Sequence, residues 1–391
     1  MKVLLINHFP LEGSGSGVYT KNIAQRLIDK GHQVKAVVVD NEINNNYQFP
    51  IETIIDYNFP CFTTHPKSNN QFYKLTRQEM NDYLNEFIKV IKTESEKFEP
   101  DIIHCQHLWV APYAALQTDI PYVITAHGTD IKGYKKDKRY RQIALKGAAG
   151  AEKIITISDQ VNQDVKKYYF IEDNKLIKIL NGVDDTLFKP LEIDRLKLIQ
   201  KYLPNIKENP KHLITFVGKL TDFKGVDLLI KAAQKYEKEF PGIMTLIIGH
   251  GELLDKLKKQ AEKLNLKNLY FLGNLPQNEL PAFYSSADLS IVPSRVEPFG
   301  LVAVEALACG TPVIASKAGG LPDFINQDVG RLFKMNDADD LAKKIILALK
   351  NNDKEKKGKT AAKYALDKFS WARVIDEVLS VYNSVLSREE S

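Results

Sequence analysis

Short apolar runs, each followed by a stretch of helical periodicity, recur along almost the whole of this sequence and leave few folds open to it. A non-alternating apolar run of about four to eight residues reads as a strand buried on both faces, and such strands separated by helices build parallel sheets from βαβ units. Two series are visible. The first comprises Val3–Ile6, Val34–Val39, Ile102–Cys105, Tyr122–Ala126, Ile154–Ile157 and Ile177–Leu180; the second comprises Leu213–Val217, Met244–Ile248, Leu269–Leu272, Leu289–Val292 and Val313–Ala315. Between them, Asn181 to Pro190 is rich in turn residues and reads as a hinge. A chain of 391 residues is long for one core, so two domains are expected, over 1–186 and 187–370. Residues 371–391 follow, with a closing amphipathic helix from Trp371 to Leu386. A polar turn is expected at Asn44-Asn45-Asn46 and a Lys-rich helix over Lys350–Lys363.

Composition narrows the function. Three cysteines, Cys61, Cys105 and Cys309, are too few and too widely spaced for a disulfide framework or a zinc cluster, which suits a reducing cytoplasm. The apolar run after Met1 and Lys2 ends by Asn7 and His8, too short for an export signal, and no run approaches a membrane span. A cytoplasmic protein is therefore expected. The formal charge of +5 is modest, but Lys132, Lys135, Lys136, Lys138, Arg139 and Arg141 cluster with Tyr134 and Tyr140. That cluster reads either as a solvated face or as a grip on an anionic acceptor or on an acidic membrane surface, which would place the protein at the inner face of the membrane. Nucleic acid is not expected, since no recognised binding module accompanies the charge.

The chemistry concentrates in Glu297-Pro298-Phe299-Gly300-Leu301-Val302-Ala303-Val304-Glu305. Glu297 falls on a loop at the carboxyl end of a strand and Glu305 in the first turns of the helix beyond it, the edge at which open α/β sheets bind ligands. Read singly, Glu305 is a carboxylate near a helix dipole and Glu297 an ordinary loop charge. Gly218, Lys219 and Lys224 lie just past the first strand of the second series, where paired lysines beside a glycine suit a pyrophosphate; either lysine alone reads equally as solvated surface. Gly13-Ser14-Gly15-Ser16-Gly17 imitates a dinucleotide fingerprint, with Asp40 ending the next strand. Asn7 to Glu12 intervene between strand and glycines, however, too long for the tight turn that fingerprint needs. A surface loop without a ligand remains open there, as does a close approach of its backbone to a ligand. His127 ends a strand beside Gly128-Thr129-Asp130, an imidazole at the ligand-binding edge of the first sheet that by itself reads as a packed loop residue. His104 and His107 stand three apart with no carboxylate spaced to complete a metal site; core packing is the stronger reading for both, and His8 stays undecided.

The E-x7-E stretch resembles the retaining GT-B glycosyltransferases of family 4, together with Phe216-Val217-Gly218-Lys219-Leu220, Lys224-Gly225-Val226-Asp227, Ile248-Gly249-His250-Gly251, Phe271-Leu272-Gly273, Gly310-Thr311-Pro312-Val313 and Gly319-Gly320 in the expected order, and with Ala126-His127-Gly128-Thr129-Asp130, Ile157-Ser158 and Asn181-Gly182-Val183-Asp184 in the amino-terminal half. The likeness runs over nearly the whole chain. It implies two doubly wound Rossmann-like domains facing across a cleft, with the last helix crossing back to the first domain. It also implies transfer of a sugar, with retention and without a metal or other cofactor, from a nucleotide-sugar, most naturally a UDP-sugar, to a hydroxyl on a cell-envelope glycan, a glycolipid or a small molecule. The alternatives in the same fold are a nucleotide-sugar epimerase and a non-catalytic binding subunit.

Carried over by position, the resemblance places Glu305 at the ribose hydroxyls, Glu297 at the transferred sugar, and Lys219 and Lys224 at the phosphates beside Gly218. The N–H groups of Phe299, Gly300 and Leu301 would face sugar and phosphate, and Asn274 and Leu275 the base. His127 would lie near the donor sugar, Gly15, Ser16 and Gly17 across the cleft, and His104, His107 and Asp130 weakly on the acceptor side. Two positions depart from the commoner family pattern: Lys219 stands where Arg is usual and Asp323 where Glu is usual. Lys keeps the charge at the first and loses the planar fork.

Overall fold

The computed structural model describes residues 1–40, 47–54, 59–62, 65, 67–68 and 70–387; the turn expected at Asn44-Asn45-Asn46 lies outside them. The chain forms two compact units, Met1–Asn181 joined by the segment from Trp371 onward, and Gly182–Ser370.

In the first unit β1 (Lys2–Asn7), β2 (Gln33–Val39), β3 (Ile51–Ile54), β4 (Ile102–Gln106), β5 (Tyr122–Ala126), β6 (Lys153–Thr156) and β7 (Leu176–Lys178) form one sheet in the order β3-β2-β1-β4-β5-β6-β7. Every pairing in it is parallel. The second unit holds β8 (His212–Val217), β9 (Ile243–Ile248), β10 (Leu269–Gly273), β11 (Leu289–Val292), β12 (Val313–Ser316) and β13 (Gly330–Phe333), again all parallel, in the order β10-β9-β8-β11-β12-β13. Strand order reverses direction between β1 and β4 in one sheet and between β8 and β11 in the other. Connections leave these neighbouring strands in opposite directions, which opens a crevice above their carboxyl ends, where open α/β sheets take ligands.

Central strands such as β4, β5, β9 and β11 are buried at every position, as sheets covered by helices on both faces require. The helix Trp371–Leu386 packs Trp371, Val374, Ile375, Val378 and Tyr382 into the core formed by Val3, Leu5, Tyr19, Ile23 and Ile155 of the first unit. The second unit closes its own core around Ile214, Phe216, Leu229, Tyr236, Ile247 and Ile345.

Four local expectations are corrected. β3 and β13 were not apparent as apolar runs, because each is an edge strand with half-exposed positions. The last strand of the first sheet stops at Lys178. The Lys-rich helix is two helices, Ala338–Lys350 and Asp353–Phe369, broken where Asn352 takes a left-handed conformation. Gly15, Ser16 and Gly17 are not a loop but the first turn of the helix Gly15–Asp29, capped by Ser14, whose Oγ accepts the Gly17 N–H at 3.0 Å.

Candidate functional site

The clearest convergence of charge lies at the switch point of the second sheet. β8 runs out through Gly218 and Lys219 to a short 3-10 turn, Asp222–Lys224, and then to the helix Val226–Glu239; β11 runs out through Ser294 and Glu297 to the helix Leu301–Ala308. The two loops are pressed together. Gly225 sits at φ 65°, and a Cβ there would lie 2.1 Å from the Pro293 carbonyl oxygen, so only glycine lets the segments approach. The approach brings Lys224 Nζ to 2.6 Å from Glu297 Oε2, which also accepts the Ser294 hydroxyl at 3.0 Å. Glu297 and Ser294 are both buried, a carboxylate held in place by one cation and one hydroxyl. From the next loop, the Gly320 N–H donates to the Glu297 carbonyl at 3.0 Å.

Glu305 lies on the helix Leu301–Ala308, where the Tyr284 hydroxyl donates to its Oε2 at 3.2 Å. Part of its surface stays exposed, yet burial raises its pKa from 4.5 to about 7, with the Tyr284 hydrogen bond opposing the rise. Phe299 is buried against Phe324 and Phe369, with ring centroids at 5.3 and 6.0 Å, so its side chain belongs to the core and only its backbone is free to meet a ligand. Gly300 precedes the helix at φ 114°, and Leu301 is its first residue. Gly218 N–H donates to Ile248 O at 3.0 Å and Leu220 N–H to His250 O at 3.0 Å, fixing the backbone around the exposed Lys219. Asn274 is exposed just past β10, while Leu275 packs its side chain against the cluster of Ile199 and Phe283.

The switch point of the first sheet gathers imidazoles instead. His8 follows β1, His107 follows β4 and His127 follows β5. His127 donates from Nε2 to Gln106 Oε1 at 2.8 Å, and burial holds its pKa well below 6.5, so the ring is neutral at pH 7. His8 is held neutral in the same way, accepting the Ala111 N–H at Nε2 and lying 3.0 Å from the Tyr83 hydroxyl through Nδ1. His107 has φ 73°, lies 3.7 Å from Asp130 Oδ2 and makes no hydrogen bond through either ring nitrogen among the described residues. Burial pushes the Asp130 carboxyl up, but His107 and the Leu108 N–H at 2.8 Å outweigh it and hold the group below the usual carboxylate range.

Of the two readings kept for His104, the structure has the core-packed one and not the weaker acceptor-side one: it is fully buried, with Tyr382 Oη 2.6 Å from Nδ1 and Thr125 Oγ1 2.8 Å from Nε2, and burial lowers its pKa to about 3. It ties the last helix to β4. Within the basic cluster, Tyr134 and Tyr140 are buried. Arg139 is spent on Asp137 at 2.7 Å and on the Phe72 and Leu75 carbonyls, and Arg141 on the Tyr134 and Lys135 carbonyls. Lys135 lies over the Tyr168 ring and within 3.8 Å of Asp164, and Lys136 lies over Tyr73. Lys132 sits on the short helix Thr129–Lys136, and Lys138 opens the turn after it.

Sequence reading missed Gln106, Ser294, Arg295 and Tyr284. Gln106 and Ser294 carried a weak signal, being polar residues at the end of apolar runs. Tyr284 and Arg295 carried none. Among the described residues no cluster of three or more His, Cys, Asp or Glu could hold a metal, and no helix is long and apolar enough to cross a membrane. All three cysteines are buried, and none is in a disulfide among the described residues.

Residues 13–187 match the family described as Glycosyltransferase Family 4, and residues 200–365 match Glycosyl transferases group 1. Among relatives, the D-inositol 3-phosphate glycosyltransferase of Corynebacterium glutamicum is 30% identical over 318 residues, covering 76% of this chain and 75% of that one. Among solved structures, sucrose-phosphate synthase from Thermosynechococcus elongatus superposes with a TM-score of 0.79 at 21% identity, over 99% of this chain and all of that one. HepE of Anabaena, solved in complex with UDP, gives 0.78 at 21% identity, over 98% of this chain and 100% of that one.

Proposed function

The chain belongs to the group 1 glycosyltransferases, with a family 4 amino-terminal half and the GT-B fold, and on that premise we propose that it is a retaining, metal-independent hexosyltransferase that moves a sugar from a UDP-sugar to a hydroxyl acceptor. The observation that carries the proposal is the Lys224–Glu297 pair above the β8/β11 switch point, with Glu305 on the adjoining helix. A nucleoside diphosphate needs cations at its phosphates and a carboxylate at its ribose, and this edge of the second unit offers both.

In this reading Lys224 and Lys219 stabilise the negative charge that develops on the leaving phosphate, work that a divalent metal does in other enzymes. Glu305 accepts hydrogen bonds from the ribose hydroxyls. Backbone N–H groups from Phe299 to Leu301 meet sugar and phosphate, and backbone beside Gly218, Asn274 and Leu275 meets phosphate and base. His127, neutral at pH 7 with its Nε2–H given to Gln106, accepts a hydrogen bond from a sugar hydroxyl at Nδ1. Asp130 and His107, and the first turn at Gly15, Ser16 and Gly17, belong to the acceptor half.

The bond from anomeric carbon to phosphate oxygen breaks with its electron pair going to the phosphate. The acceptor oxygen bonds the carbon from the same face, and the acceptor proton passes to the departing phosphate oxygen. Glu297 supplies position and charge and forms no covalent bond; its carboxylate is already engaged by Lys224 and Ser294. Trapping a glycosyl adduct on Glu297 would overturn that assignment.

The test of the donor half needs no acceptor. Thermal unfolding is followed with UDP, GDP, ADP and NAD, and with the nucleotide-sugars, for the wild type and Glu305→Ala. The complex of HepE makes UDP the first nucleotide to try. Ligand at about 100 times Kd stabilises the native state by roughly 2.7 kcal/mol. The expected result is a shift with UDP that the variant loses; a shift with NAD alone, or with nothing, sinks the reading.

A further inference from the structure

The Lys224–Glu297 pair is framed by a second pair. Arg295, two positions before Glu297, and Asp227, three after Lys224, meet as a fork, with Nη1 donating to Asp227 Oδ1 and Nη2 to Asp227 Oδ2, both at 2.8 Å. Further donors of the same guanidinium are used as well. Nη1 also reaches the Asp222 carbonyl at 2.8 Å and Asp222 Oδ1 at 3.4 Å, and Nε donates to Asn336 Oδ1 at 2.8 Å. The main chain follows the side chain, with the Arg295 N–H donating to Phe223 O at 2.7 Å and the Val296 N–H to the same carbonyl at 3.3 Å. Although burial pushes the Asp227 carboxyl up, the guanidinium holds it below the usual range, so both partners are charged.

Each of these bonds except the one to Asn336 joins the loop after β11 to the segment after β8. Lys224 and Glu297 lie on the same two segments, as do Gly225 and Pro293, whose close approach presses those segments together. A lysine on four flexible bonds does not by itself fix where its ammonium lies relative to a carboxylate on another loop. A planar, two-bond guanidinium–carboxylate contact does fix the separation of the backbones that carry them, and lysine in its place could not.

The geometry points to Arg295 and Asp227 as positioning residues that set the separation of Lys224 and Glu297 before a ligand arrives. Its catalytic meaning rests on the donor-site reading above; the positioning itself can be read without a ligand. The alternative is a fork that only stabilises the fold.

Arg295→Lys keeps the charge and removes the fork, and Asp227→Asn keeps the shape and removes the carboxylate. In each variant two quantities are measured. The first is the rate at which trace acetic anhydride acylates Lys224, read by mass spectrometry and normalised to the exposed Lys263. The second is kcat and KM for hydrolysis of UDP-glucose without an acceptor. Positioning predicts that Lys224 reacts several-fold faster once it is released from Glu297. It also predicts that kcat falls roughly 10- to 100-fold with KM little changed, because a displaced charge costs the transition state most. Asp227→Glu, which keeps a carboxylate for the fork, should recover part of the loss.

Folded variants with unchanged labelling and unchanged kcat overturn the inference, as does a lowered Tm with neither of the other changes. If Arg295→Lys fails to fold, Asp227→Asn decides by the same criteria. If the wild type neither binds UDP nor hydrolyses UDP-glucose, the donor reading fails, while the labelling ratio still decides whether the fork positions Lys224.

Discussion

Glu305 is the residue whose protonation reports most directly on the proposed site. Its pKa in the folded protein, about 7 against an ordinary 4.5, means that the native state holds a proton the unfolded chain has lost. Stability contributed by that proton is therefore full at low pH and declines as pH rises from 4.5 through about 7. Glu305→Gln, which cannot ionise, should remove this part of the decline, so that its Tm relative to wild type is higher at pH 8 than at pH 5. A ligand whose hydroxyls donate to Glu305 favours the carboxylate, so binding should expel a proton and tighten as pH rises through about 7. Calorimetry of UDP binding at pH 6.5 in buffers of different ionisation enthalpy measures the proton count. A count of zero for wild type, or the same count for Glu305→Gln, would remove Glu305 from the ribose. Beside it, Lys224 and Glu297 satisfy each other in the donor-free state, and neither is left as a lone buried charge.

At the scale of elements, the site depends on two strand-to-helix loops lying closer than a methyl group would allow. Gly225→Ala places a Cβ 2.1 Å from the Pro293 oxygen at φ 65°, so the loops after β8 and β11 must separate. Gly242→Ala is the control, since φ there is 88° but the new Cβ would lie 3.5 Å from the Lys211 side chain, in ordinary contact. Both should lose about 1–3 kcal/mol to backbone strain, and only Gly225→Ala should also lose UDP binding. Equal binding by the two variants would show that the approach of these loops does not matter to the ligand. Much of this architecture was legible in the sequence. Interior strands such as β1, β8 and β9 are continuous apolar runs because both faces are covered, and the helix Leu301–Ala308 announced itself by its apolar residues after Gly300. Edge strands β3 and β13 were hidden because the charged, half-buried Glu52 and Arg331 break the apolar run in them. At the site, Glu297, Glu305 and Lys224 were legible through motif spacing. The contacts of Arg295 with Asp227, Tyr284 with Glu305 and Gln106 with His127 were not, since sequence separations of 68, 21 and 21 residues are set by sheet order.

At the scale of the whole molecule, each unit has its own parallel sheet and core, but the first unit is not continuous in sequence. Its core is completed by the helix Trp371–Leu386, which buries Trp371, Val374, Ile375, Val378, Val381, Tyr382 and Val385. At about 1.5–3 kcal/mol for each large apolar side chain fully buried, these seven residues contribute about 10–20 kcal/mol to the gross stabilisation of the first unit. That is comparable with the whole net stability of a typical domain, roughly 5–15 kcal/mol. The loss would also strand His104, whose Nδ1 would lose its contact with Tyr382 inside the core. A chain ending at Ser370 should therefore leave the first sheet unfolded while the second, whose core draws nothing from that helix, stays folded. Hydrogen exchange read by mass spectrometry separates the outcomes. Protection should vanish from β1, β2, β4 and β5 and persist in β8, β9 and β11, and UDP should still add protection around Lys224 and Glu297 if the donor site belongs to the second unit alone. Persistent protection of β1 and β4 in the shortened chain would show that the helix is an appendage to a core already complete without it.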